Sequence, residues 1–427
     1  MDVFEHIDKV LLQEEGWTAR VARKASTRPS DASAVLFDQT EAKITGACHR
    51  AVYLRLVGTP VEEIIKPEKA MQFRVGRAVE EDLGGLARKA GIFVAAGVRV
   101  EIPHLNTSLE MDDILIDPET QQPIIADCKT ISGYWSNDQV LNKGKVKWSA
   151  VMQLLVYLNE FRTGAALKEA IRQASSDKTV MEGRTIELRR LLEAKTGTEE
   201  EQKVMAHELH DLEWKRKWNR VQVDWDNFAA MGDGPSTGML IYISRDEAGR
   251  RQFNIGISCD PLDGWHYPSV DGAVVPIFTV ESIYERFQTL QGYYLRTYDE
   301  AVRRLELRGV RAPATDAHYY EVKKYWEALG LEMRSLPLEF MPPAEYEWNY
   351  SPEKIEALYE RGFLGKTKYK EWKTVSSGKN RKSREVPVLG DWHCNFCNYR
   401  KRCIGLQDPA YANLASDLIS IDDANAA

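Results

Sequence analysis

Cysteine placement constrains this chain more than any other feature. Cys48 stands alone near the start, and Cys394, Cys397 and Cys403 lie close to the end in WHCNFCNYRKRC, a C-x2-C-x5-C spacing. Four thiolates make a tetrahedral set for Zn2+ and equally the usual set for an iron-sulfur cluster, and the spacing leaves both open. A centre shared by all four would pin the two ends of the chain together. The other two, Cys128 and Cys259, lie in strand-like runs and are expected in the core.

Composition permits such a closure around a large body. Of 427 residues, 43% are hydrophobic and 28% charged, which suits one large domain with insertions or two domains and argues against extensive disorder. The net charge of −7 supplies no global basic field, so any contact with a polyanion must be local. MDVFEHIDKVLLQEEGW has acids among its apolar positions and does not read as a signal peptide. No run reaches the roughly 18 apolar residues of a membrane span. The expected compartment is the cytoplasm, with no membrane partner, where cysteines are thiols or ligands rather than disulfides.

Periodicity divides the chain into segments. Residues 1–66 read as helical and carry Cys48 in GACHRAVYLRLVG. Within 67–163, EKAMQFRVGRAVEEDLGGLARKAG spaces Val75, Val79, Leu83 and Leu86 as one helical stripe, with Glu80 beside it. VRVEI, LEMDDILID and PIIADCKTI follow as short strands, the last two joined by the turn DPETQQP, and KWSAVMQLLVYLNEF is a further helix. Residues 164–235 read as a helical insertion, and 236–307 as a hairpin that extends the sheet, GMLIYIS and RQFNIGIS, followed by a helix. Residues 308–390 form a second, irregular insertion, 391–405 hold the cysteine triplet, and 406–427 read as an acidic tail.

Chemistry concentrates in the strands. Asp127 and Lys129 are two apart, so both side chains leave one face of their strand and Cys128 leaves the other. The tripeptide alone is a weak signal, since Glu193-Ala194-Lys195, Glu213-Trp214-Lys215, Glu321-Val322-Lys323 and Glu371-Trp372-Lys373 share its form. Context strengthens it, because a hairpin would bring Asp112 beside Asp127, and two neighbouring carboxylates call for a divalent cation such as Mg2+ or Mn2+. Glu80 and the Cys128 backbone carbonyl can add oxygens. Alternation groups Asp112 with Ile114 and Ile116 and Asp113 with Met111 and Leu115, which does not choose between the aspartates. Such a set suits phosphodiester hydrolysis, with the cation and Lys129 stabilising phosphoryl charge.

VGRAVEEDL, EMDDILID, ADCKTIS and MQLLVYL follow the order and spacing of the RecB-like branch of the PD-(D/E)xK nucleases, and the chain resembles that family. The resemblance implies a restriction-endonuclease-like α/β core, a mixed sheet flanked by helices, carrying helical insertions. It maps onto Gly76 with Glu80, Asp112 rather than Asp113, Asp127 with Lys129, and Gln153 with Tyr157. Glu80 stands where many members have His, and Asp127 where Glu is commoner. The cysteine segments resemble those of the CRISPR-associated exonuclease and AddB-type nucleases, which implies a 4Fe-4S cluster on Cys48, Cys394, Cys397 and Cys403, with Zn2+ as the alternative. The implied function is exonucleolytic cleavage of DNA that is single-stranded or has free ends, in recombination, repair, CRISPR adaptation or phage DNA metabolism. A structure-selective endonuclease would share the site, and a DNA-binding scaffold with a vestigial site, partnered through the insertions, is the non-enzymatic alternative.

Two segments suit backbone contact. Residues 366–384 contain eight Lys or Arg against one acid, interleaved with Tyr369 and Trp372, and NKGKVKW at 142–148 precedes the glutamine helix. His49 and His393 flank ligand positions and are expected to pack or to touch phosphate.

Overall fold

The structure, a computed structural model, describes residues 27–36, 43–59, 67–246, 249–309, 319–331, 336, 338–343, 372–377, 382–387, 397, 399 and 403. Its helices are α1 (His49–Leu56), α2 (Pro67–Lys89), α3 (Tyr134–Asn137), α4 (Trp148–Glu160), α5 (Gly164–Glu193), α6 (Glu199–Trp218), α7 (Trp225–Ala230), α8 (Val280–Leu307) and α9 (Tyr319–Ala328). Its strands are β1 (Ser33–Leu36), β2 (Lys43–Gly46), β3 (Phe93–Ile102), β4 (Thr107–Ile116), β5 (Pro123–Ile131), β6 (Gln222–Val223), β7 (Thr237–Ser244), β8 (Arg250–Cys259), β9 (His266–Val270), β10 (Ala273–Val274), β11 (Trp372–Ser377) and β12 (Lys382–Pro387). The chain divides into two units, Thr27–Gly46 with Glu68–Gln288, and Met1–Ser26 with Ala47–Pro67 and Thr289–Ala427.

The first unit is an α/β body on a mixed sheet of order β10-β9-β8-β7-β5-β4-β3-β6. Every neighbouring pair is antiparallel except β5 and β7, which run parallel from Ile124↔Thr237 to Ile131↔Ser244. A parallel pair needs a crossover, and here the intervening chain supplies α4 to α7. Helix α4 is apolar nearly all round and is accordingly buried, with Leu154, Leu155 and Val156 packed against Ile125, Leu240 and Phe253. Each such aliphatic side chain contributes about 2 kcal/mol by leaving water.

A smaller cluster of Phe93, Leu115 and Ala126 lies on the opposite sheet face and meets Ala87 of α2. The stripe expected to bury α2 does not do so: Val75 and Leu86 are exposed and Val79 and Leu83 only half-buried. The helix approaches through small residues instead. A Cβ built at Gly76 would stand 3.4 Å from Thr130 Oγ1, and one at Gly84 3.3 Å from Asp113 Oδ1. Apolar spacing marks an amphipathic helix, but a close approach selects the face with the least side-chain bulk.

Three other expectations change. Within 1–66, β1 and β2 form an antiparallel hairpin, and among the described residues there the helical structure is α1 and a single 3-10 turn at Pro29–Asp31. The 164–235 segment is not wholly an insertion, because Leu167, Ala170 and Ile171 of α5 join the main core and β6 adds an edge strand beside β3. Only farther out do α5 and α6 pair with each other, through Arg184 to Glu208 and Arg189 to Glu213. Cys259 is exposed at the end of β8 rather than buried in the core.

The second unit has its own core, in which Tyr53 and Leu54 of α1 pack with Tyr294, Trp326 and Tyr399. Within 308–390, β11 and β12 pair as a hairpin from Trp372↔Pro387 to Ser377↔Lys382. Most of the basic run at 366–384, Cys394, His393 and the 406–427 segment lie outside the described residues.

Candidate active site

Strands β4 and β5 pair only from Ile116↔Pro123 to Asp113↔Ala126. Beyond that position β4 stays on β3 and β5 stays on β7, so the two strands part and leave a fork in the sheet. Asp112 and Asp127 are the first residues past the last paired position. Both carboxylates therefore stand at the apex of the fork, with Lys129 two residues farther along β5.

Local irregularity selects Asp112. Leu109, Met111, Ile114 and Ile116 all belong to one core, so the two-residue alternation of β4 is reset between Met111 and Ile114. At that level Gly97 of the neighbouring strand takes a φ of +62°, a left-handed conformation that glycine adopts without steric cost. The pair Gly97 and Asp112 drops out of a register that otherwise runs unbroken from Ala95↔Ile114 to Ile102↔Thr107 and shifts only farther back, between Phe93 and Ala95. A local kink of this kind re-aims a side chain. Asp113 is instead buried near Gly84, with its carboxyl pushed up to about 6 by burial and partly offset by Arg88.

Asp127 is 1% exposed. Its Oδ1 accepts from Lys129 Nζ at 2.8 Å and from Gln153 Nε2 at 3.3 Å, while its Oδ2 is buried with no hydrogen-bond partner. Gln153 also donates to Tyr157 Oη at 3.0 Å, and Tyr157 Oη donates to the Glu110 carbonyl at 2.8 Å, closing one side of the fork with α4. The i and i+4 spacing of Gln153 and Tyr157 places them on one helix face.

Electrostatics identifies these groups as one cluster. Burial, reinforced by the neighbouring Asp127 charge, holds the Asp112 carboxyl well above the usual carboxylate range. Burial likewise raises Glu80 to about 7, with Lys129 opposing and Asp127 and Asp113 adding to the shift. Burial alone would lower Lys129, but the carboxylates of Asp127 and Asp112 outweigh it and keep the ammonium above the ordinary lysine range. The Cys128 thiol is pushed up to about 12, first by burial and then by Glu80, and the oxygen this residue offers a hard cation is its backbone carbonyl.

Hard oxygen donors, an unpartnered buried carboxylate oxygen and mutually repelling acids fit a divalent cation held by carboxylates. Among the described residues no group of three His, Cys, Asp or Glu side chains stands in a finished ligand arrangement. Tyr242 was not legible from the sequence. It lies beside Lys129 in the β5 and β7 register, and its Oη accepts from Lys147 N at 3.3 Å. Only knowledge that β7 pairs in parallel with β5 would have found it.

The cysteines occupy the other unit. Cys48 immediately precedes α1, Arg50 Nη1 approaches Cys403 Sγ at 3.6 Å, and Tyr399 N donates to Cys397 Sγ at 3.4 Å. Arg50 is buried and its Nε also donates to the Pro342 carbonyl, while His49 is buried beside it in sequence. No helix among the described residues is long and apolar enough to cross a membrane. Compared with known proteins, the chain matches no family model, no curated protein and no solved structure.

Proposed function

We propose that this chain is a cation-dependent deoxyribonuclease with a restriction-endonuclease-like core, acting as an exonuclease on DNA with free ends. The observation that carries the reading is the forked β4 and β5 pair with Asp112, Asp127 and Lys129 at its apex. Asp112, Asp127, Glu80 and the Cys128 carbonyl would hold Mg2+ or Mn2+. Such a cation supplies Lewis acidity at a phosphoryl oxygen and makes water more acidic. Lys129, kept protonated by its carboxylate neighbours, donates to the charge that grows on the phosphate. Gln153 and Tyr157 hold the Asp127 carboxylate and the Glu110 carbonyl in place. In the same proposal Cys48, Cys394, Cys397 and Cys403 ligate a 4Fe-4S cluster that closes the second unit, and sulfur-directed N–H groups of the kind seen at Cys397 suit thiolate ligands.

DNA labelled separately at each end, single- and double-stranded, tests the activity beside a closed circle. Linear substrates are expected to be degraded in Mg2+ or Mn2+ and the circle spared. Cleavage of the circle would replace the exonuclease reading with the endonuclease one, and no cleavage of any substrate would reject nuclease activity.

Proton competition adds a pH dependence. A carboxyl must lose its proton to hold a cation, so at limiting Mg2+ the rate is expected to climb as pH rises through the Glu80 value of about 7. Stability without added cation moves the other way. Between the ordinary value of 4.5 and about 7 the folded chain keeps a proton that the unfolded chain has lost, so stability falls across that window. Glu80→Gln should shrink that limb in both rate and melting profiles, leaving the part that the raised Asp112 and Asp113 carboxyls contribute. Unchanged profiles in the variant would exclude Glu80 as the titrating group.

A further inference from the structure

We infer that Tyr134 is a stacking platform for an unpaired base beside the cleavage site, which makes single-stranded DNA the preferred substrate; this rests on the nuclease reading above. Tyr134 is 80% exposed and opens α3 directly after β5, five residues beyond Lys129. Five residues of chain span at most about 18 Å, so the ring lies within a few nucleotides of a phosphate at Lys129.

A lone exposed tyrosine carries no such meaning. This one has a pinned mount. Ser132 Oγ accepts from Arg245 Nη2 at 2.6 Å, Arg245 N donates to the Ile131 carbonyl at 2.9 Å, and Gly133 N donates to the Asp246 carboxylate. Gly133 has a φ of +83°, which a residue with a Cβ avoids. The turn leading into the ring is thereby tied through three consecutive residues, Ile131 to Gly133, to Arg245 and Asp246 just past β7, so little order remains to be imposed when a base stacks on it.

A backbone track lies at the same end of the sheet. Lys145 is exposed and Lys147 leads into α4, and the Lys147 backbone bonds to Tyr242, the lateral neighbour of Lys129. Lys143 is excluded, being paired with Asp138. Lysines that follow phosphates beside an aromatic face are the pattern that holds a single strand. A duplex keeps its bases stacked on each other and offers the ring no free face.

Fluorescence anisotropy of a fluorescein-labelled oligothymidylate, measured in a Lys129→Ala background, tests the platform apart from catalysis. Tyr134→Ala is expected to weaken binding about tenfold or more, Tyr134→Phe to bind like its parent, and a blunt duplex to show no difference. In the cleavage-competent chain Tyr134→Ala should raise KM with kcat retained, and melting should be unchanged because the ring is exposed. Equal binding by the alanine variant, or equal losses on single strand and duplex, would overturn the platform. Absence of DNA cleavage by the wild type would instead reject the nuclease reading, and the binding comparison would still decide the role of Tyr134.

Discussion

Lys129→Ala should slow DNA cleavage about a thousandfold while leaving cation binding intact or tighter. Removing the ammonium deletes the donor to the phosphate, yet it also deletes a positive charge beside Asp127 and Asp112, where that charge competes with a cation. Asp127→Asn should behave differently. It loses a charged ligand oxygen and is expected to abolish cation binding and cleavage together. Calorimetric titration with Mn2+, alongside cleavage of end-labelled DNA, separates the two. If Lys129→Ala cleaves at the wild-type rate, the site is not the catalytic centre, and if Asp127→Asn still binds Mn2+ normally, Asp127 is not a ligand.

The second large effect concerns the terminal unit. Cys403→Ala should remove iron, sulfide and visible absorption from the purified chain and lower its melting temperature markedly. In small domains structural metal binding supplies about 10 kcal/mol or more of folding free energy. The loss here should be smaller, since Tyr53, Tyr294 and Trp326 already form a packed core in that unit. The variant also takes the sulfur away from the buried Arg50 guanidinium. A colourless, zinc-containing wild type would replace the cluster by Zn2+. A metal-free wild type as stable as the metal-loaded one would remove the closure altogether.

Much of the sheet was legible because its signals are local. LEMDDILID and PIIADCKTI are β-rich runs around a turn, and the turn is held by Asp117 Oδ1 accepting from Glu119 N and Thr120 N. From that hairpin the proximity of Asp112 to Asp127 follows by geometry. The choice between Asp112 and Asp113 does not, because it depends on Gly97 in a neighbouring strand. The stripe of Val75 and Leu86 misled for a related reason: periodicity reports that a helix has two faces, whereas Gly76, Gly84 and Ala87 decide which face approaches the sheet. Strands β1 and β2 are four residues each, too short for alternation to register.

By itself the sequence determined the kinds of groups present: two acids and a lysine on adjacent strands, a glutamate on the preceding helix, and thiols near both ends. These are covalent facts, and strand alternation carries them a short way into space. Only the tertiary structure decided that β4 and β5 separate after Asp113 and Ala126, turning neighbouring acids into an enclosed cluster, and that Lys129 lies beside Tyr242. Both depend on pairings between strands distant in the chain, whose register is set by packing against α2 and α4 and leaves no mark in any local stretch of residues.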